Sequence, residues 1–116
     1  TTFVHGDWKL GNVGTARDDR TILIDWTYPG EAPPAYELAW YLSINRVRLP
    51  HAKEDAIAAF RVSLERHGVV TRGWYDRQVA ICLLGSLVVF GWEKALGDHA
   101  ELGWWCDRVP EGVACL

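Results

Sequence analysis

The chain has 116 residues, 49 % of them hydrophobic, and a formal net charge of −3. That length suits one compact domain or part of one, and that apolar content excludes a disordered tail. The acidic balance excludes the basic face that a nucleic-acid partner would need.

Seven tryptophans are many for this length, and large rings of this kind are expected in the core or along groove walls. The three cysteines, Cys82, Cys106 and Cys115, are odd in number and form no C-x-x-C pair. They give neither a disulfide framework nor a zinc pattern and read as reduced thiols, which points to a cytoplasmic protein. No signal-peptide pattern is present. The most apolar run, Val79 to Trp92, is shorter than the ~20 residues that cross a bilayer. It reads as a helix buried on most sides, so no membrane is expected. The first residue is Thr1 and Thr2-Phe3-Val4 already reads as a strand, so the chain is expected to be part of something longer.

In chain order, Thr2–Val4 is a short β-rich run that leads directly into His5-Gly6-Asp7. Asn12–Gly14 is a second short strand and Ala16–Arg20 a polar turn. Thr21–Asp25 (T-I-L-I-D) is an apolar, β-branched run, predicted as a buried strand ending on a carboxylate. Residues 12–25 therefore read as a hairpin, with Asp7 and Asp25 just past the ends of neighbouring strands. Trp26–Pro34 reads as a loop because of Pro29-Gly30 and Pro33-Pro34. The period then becomes helical. Helices are predicted over Ala35–Val47, Ala52–His67, closed by Gly68, and Trp74–Leu96, closed by Gly97, with a last short one over Asp98–Asp107. The architecture is α+β: a small hairpin layer over residues 1–34, packed on a helical bundle over residues 35–116.

The chemistry-bearing segment is His5-Gly6-Asp7-Trp8-Lys9-Leu10-Gly11-Asn12. Its form, H-G-D-x-x-x-x-N, keeps the Asp-to-Asn spacing of the kinase loop H-R-D-x-x-x-x-N. An aspartate there accepts the proton of an attacking hydroxyl, and a few residues later the chain turns back to offer an amide oxygen to Mg²⁺. Asp25 lies where a kinase carries the Asp of D-F-G, although the triplet here is Asp25-Trp26-Thr27. Hard Mg²⁺ takes one or two carboxylates together with phosphate oxygens.

These motifs, with Ile22-Leu23-Ile24-Asp25-Trp26 and Pro34-Ala35-Tyr36-Glu37-Leu38-Ala39-Trp40-Tyr41-Leu42, resemble the aminoglycoside-phosphotransferase family of kinase-like enzymes. The motifs span Thr1 to about Leu49. The resemblance implies the C-terminal lobe of a protein-kinase-like fold and transfer of the γ-phosphate of ATP or GTP to a hydroxyl of a small molecule. It implies Asp7 as catalytic base and Asn12 and Asp25 as Mg²⁺ ligands. His5 and Glu37 would support the loop structurally, and Lys9 would contact the transferred phosphate. The family more often has Asp where Glu37 stands.

A kinase also needs a nucleotide-clamping lobe, and neither a G-x-G-x-x-G loop nor a V-A-I-K strand occurs here. The expectation is that this N-terminal lobe is missing and that the segment alone is inactive. Two rivals stand beside this reading. One is a silent kinase relative acting as a binding or scaffold module. The other is a metal-dependent phosphohydrolase built on His5, Asp7 and Asp25.

Overall fold

A computed structural model describes residues 1–116 apart from the side chain of Val47. Four three-residue strands come first: β1 (Thr2–Val4), β2 (Val13–Thr15), β3 (Thr21–Leu23) and β4 (Gly30–Ala32). Five helices follow: α1 (Pro34–Ile44), α2 (Lys53–Arg66), α3 (Tyr75–Ala95), α4 (His99–Cys106) and α5 (Val109–Ala114). Single 3₁₀ turns lie at Leu10–Asn12 and Arg46–Arg48. The α+β class holds.

The strands form two separate antiparallel pairs, β1 with β4 and β2 with β3. Thr2 faces Ala32 in the first pair and Val13 faces Leu23 in the second. Three sequence expectations change here. The stretch predicted as a loop contains β4, because the Pro-Gly and Pro-Pro pairs bound a short strand rather than replace it. Asp7 and Asp25 do not follow neighbouring strands, since β1 and β3 lie in different sheets. The T-I-L-I-D run is not buried: Ile22 and Ile24 are 45 % and 55 % exposed, because each ribbon has one partner strand and an open second face.

The core sits in the helices. Leu38, Ala39 and Leu42 of α1 pack with Tyr75, Val79 and Leu83 of α3 and with Trp105 of α4. Pro34 opens α1, where its missing N–H would have had no helical partner anyway. The helix stops at Ile44 instead of the predicted Val47, because Asn45 turns its side chain back as a cap and donates to Tyr41 O at 2.9 Å. Tyr75 ties α3 to α2 by donating its hydroxyl to Ile57 O, and burial pushes that phenol up to about 12.

Helix α3 differs from the expectation of burial on most sides. Tyr75, Val79, Leu83, Ser86 and Lys94 are buried, whereas Val88, Val89 and Trp92 are exposed. By length and composition alone this 21-residue helix would reach across a bilayer. The tryptophans divide similarly, with Trp105 fully buried and Trp26 and Trp92 exposed. Glu101 pairs with Lys53 at 2.5 Å and lies 3.9 Å from the buried Lys94, whose ammonium donates to Ser43 O at 2.6 Å.

Candidate active site

The segment from His5 to Asn12 runs along one edge of α1, which holds it through three side chains. Glu37 Oε1 accepts the Gly6 N–H at 2.8 Å. Trp40 donates its indole N–H to Asp7 Oδ1 at 3.1 Å. The buried Asn45 accepts the Leu10 N–H at 2.8 Å and also faces Trp8 O. Tyr41, on the same edge, meets the Trp8 ring edge-on at 6.4 Å. Residues 37, 41 and 45 are spaced four apart, so one helical stripe carries most of these anchors. The other Glu37 oxygen, Oε2, is buried and has no hydrogen-bond partner among the described residues.

Gly6 is required by geometry. Its φ is +83°, and a Cβ there would stand 2.0 Å from the carbonyl oxygen of Tyr28. This accounts for glycine where the protein-kinase motif has arginine. Its neighbour His5 is buried and joins the two halves of the site. Nε2 donates to Ile24 O at 2.9 Å, so Nδ1 is left as an acceptor and receives the Asp7 N–H at 3.3 Å. The Trp26 ring covers that imidazole at 4.5 Å and donates its own N–H to Leu23 O.

Asp7 is the convergence point. Lys9 Nζ donates to its Oδ2 at 2.6 Å, and Asn12 Nδ2 donates to the same oxygen at 3.1 Å and to the Asp7 backbone carbonyl at 3.0 Å. Burial alone would raise this carboxyl. The hydrogen bonds from Lys9, Trp40 and Asn12, with the Lys9 charge, outweigh burial and hold it below the usual carboxylate range. Lys9 is pushed the other way, mainly by that same bond to Asp7.

Asp25 is half-exposed and has a left-handed backbone, φ +61°. Its Oδ1 accepts the Thr27 hydroxyl, and its Oδ2 lies 4.0 Å from the Lys9 ammonium. One ammonium therefore reaches both carboxylates. The Ile24 N–H donates to Asn12 O at 3.0 Å, which brings the Asn12 turn against the strand end that carries Asp25.

The donor set suits a hard divalent cation. Both partners of Asn12 Nδ2 are acceptors, so the amide orientation is fixed and its carbonyl oxygen turns away from Asp7. That oxygen accepts no hydrogen bond from the described residues, and Asp25 supplies a carboxylate. One carboxylate and one carboxamide, completed by phosphate oxygens and water, make a Mg²⁺ set. Among the described residues no three His, Cys, Asp or Glu side chains cluster as a metal site.

All six residues singled out in the sequence thus fall in one connected region. Trp40, Asn45 and Gly6 were missed as site residues. The signal available for the first two was their helical spacing from Glu37.

An aspartate buried against a lysine, a carboxamide turned away from it and a second carboxylate across the ammonium thus meet in one place. The chain belongs to the phosphotransferase enzyme family (APH), whose family model matches residues 1–74. No curated protein and no solved structure matches the chain.

Proposed function

We propose that this chain carries the base, the metal ligands and the acceptor wall of a kinase that moves the γ-phosphate of ATP or GTP to a hydroxyl of a small molecule, aminoglycoside-like or related. The observation that carries the reading is the single Lys9 ammonium held between Asp7 and Asp25, with Asn12 bonded to Asp7. A cation between two carboxylates marks the place where phosphate and metal charge would be balanced.

On this reading Asp7 orients the acceptor hydroxyl and takes its proton. A carboxylate held ionised and fixed in direction is suited to that task. Lys9, whose ammonium has three N–H donors, would contact the transferred phosphate while keeping its bond to Asp7 Oδ2. Asn12 and Asp25 would hold Mg²⁺, which when bound neutralises charge developing on the phosphate oxygens. His5 keeps the Asp7 turn and the Asp25 strand end in one register, and Glu37 fixes the Gly6 peptide. A nucleotide-covering lobe must act beside this one, and activity is expected in its company. Nucleotide and alcohol are the partners, in the cytoplasm, with no role for nucleic acid or membrane.

The test is made in the full-length protein. Asp7→Asn should lower kcat by about 10²–10⁴-fold, the usual contribution of a positioned base, and leave nucleotide affinity nearly unchanged. Asp25→Asn, which tolerates the left-handed backbone, should instead weaken Mg²⁺-dependent nucleotide binding. Normal turnover in Asp7→Asn would overturn the assignment of the base, and a protein that binds no nucleotide at all would favour the scaffold rival.

A further inference from the structure

The four acceptor positions of the Asp7 carboxylate are used unequally. Oδ2 already receives two donors, Lys9 Nζ at 2.6 Å and Asn12 Nδ2 at 3.1 Å. Oδ1 receives only the Trp40 indole N–H, at 3.1 Å, and keeps one lone pair. A hydroxyl that hydrogen-bonds to this carboxylate without displacing a neighbour must do so at Oδ1.

The surroundings of that oxygen differ from those of Oδ2. Trp40 stands edge-on to Phe90 of α3, with centroids 5.0 Å apart at 76°, and is tilted against Tyr36 at 5.8 Å. None of the three rings is fully buried, so they present a partly open aromatic wall between α1 and α3. Part-exposed rings receive the C–H faces of alcohols and sugars and the charge of amines. The Oδ2 side, by contrast, is occupied by Lys9 and Asn12, the groups assigned to phosphate and metal.

Resting on the phosphotransferase reading, we infer that the acceptor hydroxyl meets Asp7 at Oδ1, alongside Trp40, with Tyr36, Trp40 and Phe90 as the wall of the acceptor site. Trp40 is then a positioning residue that fixes the carboxylate while the second lone pair of Oδ1 does the chemistry. In the transfer, the hydroxyl proton passes to Oδ1 and the acceptor oxygen bonds the γ-phosphorus. The bond from that phosphorus to the bridging oxygen breaks, and its electron pair leaves with the nucleoside diphosphate.

The experiment uses the full-length protein with Mg²⁺ and ATP and three hydroxylated probes: choline, kanamycin A and glucose. For the probe that is phosphorylated, Trp40→Phe keeps an aromatic side chain but removes the N–H, and kcat should fall about tenfold with the nucleotide KM nearly unchanged. Phe90→Leu should raise the acceptor KM severalfold and leave the nucleotide KM alone. Should Trp40→Phe fail to fold, the wild-type ¹⁵N spectrum serves instead. The indole signal that moves in both Asp7→Asn and Phe90→Leu is that of Trp40, and the saturating probe should move it too. An unchanged kcat in Trp40→Phe, a raised nucleotide KM in place of the acceptor effect, or an unmoved Trp40 signal would overturn this placement alone. A protein that binds no nucleotide with Mg²⁺ and transfers phosphate to none of the three probes would overturn the placement together with the phosphotransferase reading.

Discussion

Replacing Gly6 with alanine tests the claim that the loop conformation is built around the absence of a Cβ. The added carbon would lie 2.0 Å from Tyr28 O, against the ~3.3 Å that carbon and carbonyl oxygen keep even in close contact. The peptide must therefore move by more than 1 Å in order of magnitude, roughly the difference of those contacts. The positive φ adds about 1–2 kcal/mol for any L side chain. A shift of that size also breaks the 2.8 Å bond from the Gly6 N–H to Glu37, whose other oxygen already lacks a partner. Leaving a buried acceptor unsatisfied costs about 1–3 kcal/mol. The two effects give a loss of about 2–5 kcal/mol, reaching the upper end of what single substitutions do. Urea denaturation of the full-length protein should show a midpoint lower by about 2 M at unchanged slope. Gly14→Ala is the control, since nothing lies within 4 Å of a Cβ there and the residue sits in β2, so its midpoint should stay near wild type. A Gly6→Ala midpoint within about 0.3 M of wild type would refute the reasoning.

Three further outcomes follow from other parts of the chain. Asp25→Gly relieves a left-handed non-glycine residue and should raise stability by about 0.5–1 kcal/mol in thermal unfolding while abolishing Mg²⁺-dependent nucleotide binding; a loss of stability would show that the φ of +61° is not strained. Glu54 has its carboxyl held low, first by the Trp104 indole N–H, then by a backbone N–H, against a smaller desolvation, and finally by Arg108 and Lys53. Its contribution is therefore present above the ordinary glutamate range and is lost as pH falls through the lowered folded value. The stability gap between wild type and Glu54→Gln, measured by urea titration, should close below about pH 4. A gap that is constant with pH would remove the carboxylate from the account. Lys94→Met removes a buried ammonium from Ser43 O and from Glu93 at 3.1 Å, but Glu101 keeps Lys53 and the Trp105 N–H at 2.8 Å, and the part-exposed Glu93 keeps Arg46 at 3.8 Å, so no buried charge is stranded. The loss should fall at the lower end of broken buried pairs, about 3 kcal/mol by denaturant midpoint, and a gain in stability would mean that burial of the ammonium outweighs its bonds.

The site was legible where chemistry dictates residue type at fixed spacing. Asp7, Asn12 and Asp25 were singled out from order and spacing alone, and the structure brings them into one connected region. The helices were legible through their apolar period, and α1, α2 and α3 lie within a few residues of expectation. What escaped was decided by contacts between distant segments. The strand β4 is too short to show a period and exists because β1 lies beside it. The exposed Ile22 and Ile24 read as buried because composition reports what a segment prefers, and here the two ribbons leave one face open. α5, with Pro and Gly in its six residues, has weak propensity of its own and is held by packing on α3, where Gly112 comes so close that a Cβ would meet Leu84 Cβ at 2.7 Å. Trp40 and Asn45 share a helical spacing with Glu37, but which edge of α1 meets the loop is set by the packing of α1 in the core.

That register explains how so small a chain holds its reactive groups still. Asp7 and Asp25 follow strands of two different sheets, each strand only three residues long, and neither sheet could fix the distance between them. The fixing is done by side chains that cross between segments. His5 spends one ring nitrogen on the Asp7 N–H and the other on Ile24 O, while Asn12 spends its amide on Asp7 and its backbone carbonyl on Ile24. The whole assembly is then fastened to α1, which is itself locked in the helical core through Leu38 and Leu42. Rigidity thus flows from the buried face of one helix, across Glu37, Trp40 and Asn45, into a loop with almost no core of its own. Substitutions on that edge of α1 should therefore reach the site chemistry as strongly as substitutions in the loop, whereas changes in the exposed ribbon β2–β3 before Ile24 should not.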